Sequence, residues 1–180
     1  MTATAQSILN RPPKTMMEVF ESLPEGTLVQ LINNQLVMSP APSFTHQKVS
    51  ADLFNLIYNF VGKSKLGLVL TAPFDVYLNS KNAFRPDIIF VANENLSLIK
   101  ENGLHGAPDM AIEIISTQTC NYDLEDKMKV YAAGGVKEYW IVEPHEKRAK
   151  GYWLTNHEYH LFAEEVGLLH SRLMNKKFKF

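Results

Sequence analysis

The sequence has little cysteine and no long apolar run. Its single cysteine, Cys120, has no partner for an intramolecular disulfide, which is typical of a protein from a reducing cytoplasm. No apolar stretch approaches the roughly 20 residues that a membrane-spanning helix needs, and the N-terminal residues lack the apolar segment of a signal peptide. These absences predict a cytoplasmic protein that does not cross a membrane.

Neither sign of charge is in excess. The sequence has 18 Lys and Arg residues and 19 Asp and Glu residues, which gives a formal net charge of −1. The overall charge therefore does not indicate a polyanion-binding protein, although a local basic groove is compatible with this balance. The chain also lacks a nucleotide-binding glycine loop and a Gly-x-Ser-x-Gly elbow, which argues against a hydrolase or transferase that acts on a substrate other than nucleic acid. Its 180 residues, 46% hydrophobic, predict one domain over 16–180 after a flexible leader, 1–15.

The order of apolar patterns predicts an α/β fold with a mixed central sheet flanked by helices. Asn33-Asn34 separates two alternating runs and predicts an N-terminal β-hairpin. Ser43 can cap a helix over 44–62, and a second long helix follows Thr119 and ends at Gly134-Gly135. A short helix is expected at 16–23, strands at 66–72, 74–78, 87–92, 110–116 and 136–142, and a closing hairpin at 148–154 and 158–162.

Glu113 is the most informative single position. It lies inside the apolar run MAIEIIS, where an acidic side chain costs free energy unless it is paired or binds a metal. Because side chains alternate along a strand, Glu113 shares a face with Ala111 and Ile115. The small Ala111 leaves room beside the carboxylate.

Asp87 and Lys127 complete a candidate catalytic group with Glu113. Asp87 opens the apolar run DIIFVA directly after Pro86, and two carboxylates on neighbouring strands can converge on one Mg²⁺ ion. Such an ion lowers the pKa of an attacking water and stabilises charge on a phosphate oxygen. Lys127 lies four residues after Asp123 on the expected helix, from where its ammonium can face the metal and the phosphate.

The strings RPDIIFV, GAPDMAIEIIS, YDLEDK, MKVY and GVKEYWIVEP, in that order, resemble a widespread bacterial family. This is the Uma family of restriction-endonuclease-like proteins, within the PD-(D/E)XK nuclease superfamily, and the resemblance covers roughly residues 16 to 178. It implies a restriction-endonuclease-like fold with Asp87 as the motif aspartate and Glu113 as the motif glutamate. Ile115 stands where the basic superfamily pattern has lysine, and the resemblance implies that Lys127 supplies the amine instead.

The resemblance implies two further residues near the substrate. His46 matches a histidine at the start of the family's first long helix, and periodicity places it in the first turn on the inward face. Gln30 stands where the family commonly has an acidic residue, in a hairpin that usually reads Tyr-Glu-Leu-Ile-Asp-Gly. A neutral Gln30 can still donate a hydrogen bond to a phosphate.

The function implied is an endonuclease that uses Mg²⁺, or Mn²⁺ in its place, to cut DNA rather than RNA, as a homodimer because cutting both strands of a duplex usually needs two sites. The alternative is a catalytically weakened or inactive interaction domain on the same fold, which the Gln30 departure and the near-neutral charge favour. In that case Glu113 and Lys127 form a purely structural buried pair.

Other residues have more ordinary interpretations beside a functional one. Asp109 is expected to close a turn, Asp123 to cap a helix, and Cys120 to be an inert thiol. For His46 the sequence alone favours a hydrogen-bonded histidine at the start of a helix over a metal ligand. For two sets of residues the sequence leaves the role open. The aromatic stripe can be core or dimer surface, or it can stack on bases: Tyr139, Trp140, Tyr152 and Trp153. The basic clusters can be solvated surface, or they can contact phosphates: Lys147, Arg148 and Lys150, with Lys176, Lys177 and Lys179.

Overall fold

The protein is represented by a computed structural model that describes residues 12–24, 26–115 and 121–180, without the side chains of 121–123. Most of the predicted leader, the thiol of Cys120 and the predicted cap Asp123 therefore lie outside the described atoms. The helices are α1 (Met16–Ser22), α2 (Phe44–Ser64) and α3 (Asn121–Gly134), with a 3-10 helix at Asn93–Leu98. The strands are β1 (Val29–Ile32), β2 (Gln35–Met38), β3 (Gly67–Thr71), β4 (Val76–Asn79), β5 (Asn82–Phe84), β6 (Ile88–Ala92), β7 (Ile99–Lys100), β8 (Gly103–His105), β9 (Met110–Ile114), β10 (Glu138–Glu143), β11 (Arg148–Thr155), β12 (Glu158–Val166), β13 (Leu168–Ser171) and β14 (Lys176–Lys179).

Across the described ranges the strands form two six-stranded sheets and a two-stranded hairpin. The central sheet has the order β12-β11-β10-β9-β6-β3, and the second sheet has the order β2-β1-β5-β4-β8-β7. Each contains a parallel pair, β9–β10 in the first and β4–β8 in the second, among antiparallel neighbours. The mixed central sheet is confirmed, and the helix between β9 and β10 is the crossover that a parallel pair requires.

Helices cover both faces of the central sheet. The apolar face of α2, including Leu53 and Ile57, packs in one core cluster with Ile112 of β9. Tyr131 of α3 packs in a second cluster with Ala111, which precedes Ile112 on the same strand. Since adjacent residues of a strand point to opposite faces, the two helices lie on opposite sides of β9. No helix in the part of the chain that the structure describes is both long and apolar enough to cross a membrane.

The N-terminal hairpin and the start of α2 form as their sequences predict. Asn33 and Asn34 have φ angles of 48° and 66°, the positive values that a two-residue type I′ turn needs and that asparagine tolerates. The Ser43 side chain accepts a hydrogen bond from the N–H of His46 at 3.3 Å and so caps α2. Both features help to position the site, because β1 and the first turn of α2 border it.

Several boundaries and elements differ from expectation. The pair β11–β12 is not the closing hairpin, since β12 continues to Val166 and the β13–β14 hairpin follows it. Neither the second sheet as a separate unit nor the strands β5, β7 and β8 were predicted. These strands have two or three residues each, too few for a period-two pattern to emerge.

Candidate active site

The pairing of β6 with β9 places the two predicted metal ligands opposite each other. In this antiparallel register Ile88 faces Ile112 and Ile89 faces Ala111. Continued by one residue, the same register sets Asp87 across from Glu113. The Asp87 Oδ2 atom accepts a hydrogen bond from the backbone N–H of Ile114 at 2.7 Å, which ties this side chain to the strand that carries Glu113.

Glu113 is a buried carboxylate whose contacts come from α3. Only 7% of the residue is exposed, and its Oε1 accepts hydrogen bonds from Lys127 Nζ at 3.2 Å and from the Tyr131 hydroxyl at 2.8 Å. Burial raises the pKa of the Glu113 carboxyl above its ordinary value, the Lys127 ammonium opposes that increase, and the charge of Asp87 adds to it. Met110, Ile112 and Ile114 pack on the other face of β9, so the side chain of Glu113 alternates with them as the strand pattern of the sequence predicts.

Lys127 points inward from α3 and is only 5% exposed. Besides its contact with Glu113, its Nζ lies 5.7 Å from the centre of the Phe84 ring, a distance at which a cation interacts favourably with an aromatic face. The predicted inward orientation of Lys127 is therefore observed. Its ammonium lies at the same carboxylate that faces Asp87.

His46 lies beside Asp87. Its Nε2 is 3.3 Å from Asp87 Oδ2, and 8% of the residue is exposed. The interaction with the Asp87 carboxylate raises the pKa of His46 above its ordinary value, against the opposing effect of burial. Its Nδ1 is buried and has no hydrogen-bond partner among the described atoms. The first turn of α2 thus contributes a histidine to the group, on the inward face as the periodicity predicts.

Gln30 is buried on β1, and its amide bonds to neighbouring protein groups. Its Nε2 donates to Ser39 Oγ at 2.8 Å, and its Oε1 accepts from the Arg85 N–H at 3.0 Å. These bonds join β1, the end of β2 and the segment that leads to Asp87. The second N–H of the amide remains for a ligand, but the first contacts of Gln30 are structural.

One cleft of about 310 Å³ collects all five residues that the sequence singles out. That volume is at the small end of ligand-binding sites. The sequence-predicted residues in its wall are Gln30, His46, Asp87, Glu113 and Lys127. They come from β1, α2, β9, α3 and the residue that precedes β6, so the fold brings together side chains that are up to 97 positions apart in the chain.

Comparison with known proteins gives a family for this arrangement. Residues 17–169 match the Uma2 family, whose description is "Putative restriction endonuclease". The chain belongs to the Uma2 family. The resemblance inferred from the sequence motifs is thereby confirmed. No curated protein matches the chain.

A solved structure is similar to this Uma2 protein over almost its whole length. It is described as a "putative nuclease belonging to DUF820" from Anabaena variabilis ATCC 29413, with a TM-score of 0.73 and 18% sequence identity. The match covers 91% of this chain and 92% of that one. At such low identity the likeness establishes the fold, and it supports the restriction-endonuclease-like architecture predicted from the sequence.

Two residues of the site were not predicted from the sequence of this Uma2 protein. Tyr131, which bonds to Glu113, falls in the expected helix after Thr119, where nothing in the local sequence indicates a polar partner for its hydroxyl. Arg85 lines the cleft, and its guanidinium donates to the Asp75 carboxylate and to the Thr27 carbonyl. The position of Arg85 immediately before Pro86-Asp87 was the available signal, but its partner Asp75 is on another strand connection and no local spacing links the two.

The carboxylates fit a hard divalent cation. The bonds recorded among described residues involve only Oδ2 of Asp87 and Oε1 of Glu113. Within those same residues no group of three or more His, Cys, Asp or Glu side chains forms a metal site. Magnesium keeps several of its waters and binds proteins through one or two carboxylates, so two facing carboxylates are a suitable donor set for it.

Proposed function

We propose that this Uma2 protein is a metal-dependent endonuclease that hydrolyses phosphodiester bonds of DNA, with Mg²⁺ or Mn²⁺ held by Asp87 and Glu113. The observation that carries the proposal is the cross-strand register that sets these two residues opposite each other, with the Lys127 ammonium 3.2 Å from Glu113. The family description and the fold agree with a nuclease. The ion, the substrate and the residue roles are our inference.

The roles follow from the chemistry of phosphodiester hydrolysis, in which a water oxygen bonds to phosphorus as the bond to the leaving sugar oxygen breaks. A divalent cation supplies Lewis acidity, which stabilises charge on a phosphate oxygen and lowers the pKa of the water. Lys127 has three N–H donors, one of which bonds to Glu113. The other two can hydrogen-bond to a phosphate oxygen that becomes more negative as the water attacks.

His46 and Gln30 act at the edge of this chemistry. His46 Nε2 and the Ile114 N–H both contact Oδ2 of Asp87, so the carboxylate is oriented before substrate arrives. Gln30 has one amide N–H beyond its bond to Ser39 with which to contact a phosphate. We assign both residues to substrate binding and positioning rather than to proton transfer.

A plasmid assay tests the proposal. Purified protein is incubated with supercoiled plasmid and Mg²⁺ or Mn²⁺, with a labelled RNA of matched length in parallel. We expect the wild type to nick and linearise the plasmid and Glu113→Ala to be slower by at least about 100-fold, as when a preorganised electrostatic group is removed from other active sites. If wild type and Glu113→Ala leave the plasmid equally intact, catalysis is not supported.

A matched control separates loss of a site from loss of charge. Asp52 is an acidic residue on the surface of α2, paired with Lys48 at 2.9 Å, and it is not among the cleft residues. Asp52→Asn should cut at the wild-type rate. Thermal melting of all three proteins shows whether each is folded at the assay temperature.

The second candidate is a catalytically weakened or inactive interaction domain, and the contacts of Gln30 favour it. A neutral amide with both polar atoms bonded to Ser39 and Arg85 stands where the family commonly has an acid. Such a domain would bind Mg²⁺ and Mn²⁺ only weakly, and its Glu113→Ala variant would keep its partner. Calorimetric titration with both ions separates the two candidates.

We further propose that the protein works in the cytoplasm, since its single cysteine suits a reducing compartment. We also propose that it is a homodimer, because cutting both strands of a duplex usually needs two sites. Light scattering on the purified protein, with and without a DNA duplex, measures the molecular mass and tests the dimer.

A further inference from the structure

The C-terminal hairpin carries positive charge without acidic partners. Glu165 is the last acidic side chain, and residues 166–180 contain four cations and no Asp or Glu. All four cations are exposed, and no ion pair is recorded for them in the part of the chain that the structure describes. Lys63 is an exposed lysine at the end of α2, which meets the hairpin where the Phe60 and Phe178 rings pack with centroids 5.7 Å apart. We call the cations of these two elements the basic face: Lys63, Arg172, Lys176, Lys177 and Lys179.

Aromatic rings lie under two of these cations. The guanidinium of Arg172 is 4.6 Å from the centre of the Trp153 ring and 5.5 Å from that of Phe162. The Lys176 Nζ is 5.5 Å from the Phe60 ring. Cation–π contacts hold a charged group in place without neutralising it, so these charges are positioned and remain available to an anion.

The other basic cluster of the sequence differs in this respect. Arg148 pairs with Glu146 at 2.9 Å and with Glu164 at 3.3 Å, and Lys150 lies 3.7 Å from Glu164. An anionic ligand would have to compete with these carboxylates. The structure therefore distinguishes two clusters that look equivalent in the sequence. In the cluster of Lys147, Arg148 and Lys150 only Lys147 has no recorded ion pair among the described residues, whereas every cation of the basic face lacks one.

The basic face lies at the opposite end of α2 from the cleft. Phe60, under Lys176, is 14 residues after His46, or about 21 Å along a helix that rises about 1.5 Å per residue. This distance equals roughly six steps of a DNA strand at about 3.4 Å each. The sole acidic residue of α2 is Asp52, and Lys48 pairs with it, so α2 presents no unpaired carboxylate between the two ends.

We propose that the basic face binds the phosphate backbone of the nucleic acid roughly six nucleotides from the bond in the cleft, and so anchors the substrate along α2. The inference rests on the proposed nuclease function for its choice of polyanion. Unpaired cations interleaved with aromatic rings are the usual electrostatic footprint of nucleic-acid binding. A near-neutral total charge does not conflict with it, because the charge is local.

Binding measured without catalysis tests the inference. The fluorescence anisotropy of a labelled 20-base-pair duplex is followed in EDTA over a range of salt concentrations. We expect the triple variant Lys176→Gln, Lys177→Gln, Lys179→Gln to bind at least about tenfold more weakly, with the slope of log K against log salt shallower by about 2 to 3, near 0.9 for each phosphate that the protein no longer neutralises. The triple Lys→Arg variant at the same positions should bind like the wild type, because it keeps the charges. Thermal melting of both triple variants shows whether each is folded at the assay temperature.

A second triple variant controls for net charge. Lys81, Lys100 and Lys129 are exposed lysines of other elements, and their change to Gln removes the same charge. It should leave affinity and salt slope within about twofold of the wild type, because only local phosphate contacts set the slope. Equal weakening by the two triple variants, or no weakening by the hairpin variant, overturns the inference.

The two proposals fail in different ways. A wild type that binds duplex through the basic face but never cuts plasmid contradicts the nuclease function and supports the basic face as a binding surface. A wild type that cuts plasmid, while the hairpin Lys→Gln variant binds and cuts equally well, contradicts the basic face alone.

Discussion

Tyr131 donates a hydrogen bond from its hydroxyl to Oε1 of Glu113 at 2.8 Å, and the same oxygen lies 3.2 Å from Lys127 Nζ. Both donors come from α3 and are four residues apart, so they are neighbours on one helix face. The Tyr131 ring is fixed in turn by an edge-to-face contact with Phe84, with centroids 5.2 Å apart. One helix thus sets the orientation of the buried carboxylate.

Removal of the Tyr131 hydroxyl should therefore loosen Glu113. We expect Tyr131→Phe to lower the free energy of unfolding by about 1.5–3 kcal/mol, the range for a hydrogen bond to a charged group, and to slow plasmid cleavage without abolishing it. Urea denaturation and the plasmid assay measure the two effects. Tyr58→Phe, at an exposed tyrosine of α2, is the control, and equal stability of the two variants would show that the Tyr131 bond contributes little.

The Glu113–Lys127 pair should show strong coupling. Lys127→Met leaves a buried carboxylate without its cation, which costs about 3–5 kcal/mol in comparable pairs. The double variant Lys127→Met, Glu113→Gln should regain most of that stability, because neither charge then remains buried. A double-mutant cycle in urea measures the coupling free energy. Additive decreases in the double variant would contradict a direct interaction.

Gln30→Glu should bring a third carboxylate to the cleft. The Oε1 acceptor for the Arg85 N–H is retained, and the Ser39 hydroxyl can rotate to donate to the new carboxylate. We expect Mn²⁺ to bind about fivefold more tightly, which corresponds to an added attraction of about 1 kcal/mol. Calorimetric titration measures it, with Gln47→Glu at the exposed edge of the same cleft as the control. Unchanged or weaker Mn²⁺ binding would contradict the expectation that a carboxylate at position 30 lies close enough to the ion to attract it.

Asp109 should make stability depend on pH at the acid end. Burial alone would raise its pKa, but hydrogen bonds from Lys137, Asn95 and the Ala92 N–H hold the pKa of Asp109 below its ordinary value of 3.8. The folded state therefore binds this proton less readily than the unfolded state, so its contribution is present above about pH 3.8 and is lost as the pH falls through the lower folded pKa.

Asp109→Asn tests this directly. The variant should be less stable near neutral pH and should lose less stability than the wild type between pH 4 and pH 2, a window that runs from just above the ordinary Asp109 pKa of 3.8 to well below it. Urea denaturation at several pH values measures the difference. The control is Asp126→Asn, at a half-exposed residue of α3, whose stability should depend on pH as that of the wild type does. If Asp109→Asn shows the same pH dependence as the wild type, the interpretation is contradicted.

The same residue illustrates the limits of the sequence analysis. Asp109 was expected to close a turn, whereas it is buried and joins the start of β9 to the end of β6 and to Lys137 before β10. Local spacing identified an acidic residue before a strand. The three donors come from segments that become neighbours only when the sheet forms, so no local pattern indicates them.

The elements that periodicity describes well were predictable. The α2 helix, the Asn33-Asn34 turn and the strand that carries Glu113 each have a strong local signal, and alternation alone put Glu113 on the face away from Ile112. The helix after β9 has a weaker pattern, and the sequence does not indicate the bond from Tyr131 to Glu113, because an inward tyrosine is equally compatible with a purely apolar contact. The tertiary structure was needed to show that its hydroxyl points at Glu113.

The aromatic stripe divides between core and surface for a similar reason. Tyr139 and Trp140 are fully buried, while Trp153 is half-buried beneath Arg172. In the sequence these residues look alike. For the two tryptophans the β13–β14 hairpin makes the difference, because Leu169 and Phe178 share a core cluster with Trp140 while Arg172 lies over Trp153. The strands of this hairpin have four residues each and were not predicted from their pattern.

The most direct test of the account is the number and affinity of Mn²⁺ ions bound by the wild type and by two single variants, Asp87→Asn and Glu113→Gln, measured by calorimetric titration beside Asp52→Asn. If the facing carboxylates share one ion, the wild type and Asp52→Asn bind a tight ion that each of the two cleft variants loses or binds at least about tenfold more weakly. Equal Mn²⁺ binding by all four proteins would contradict the shared site and, with it, the proposed catalysis.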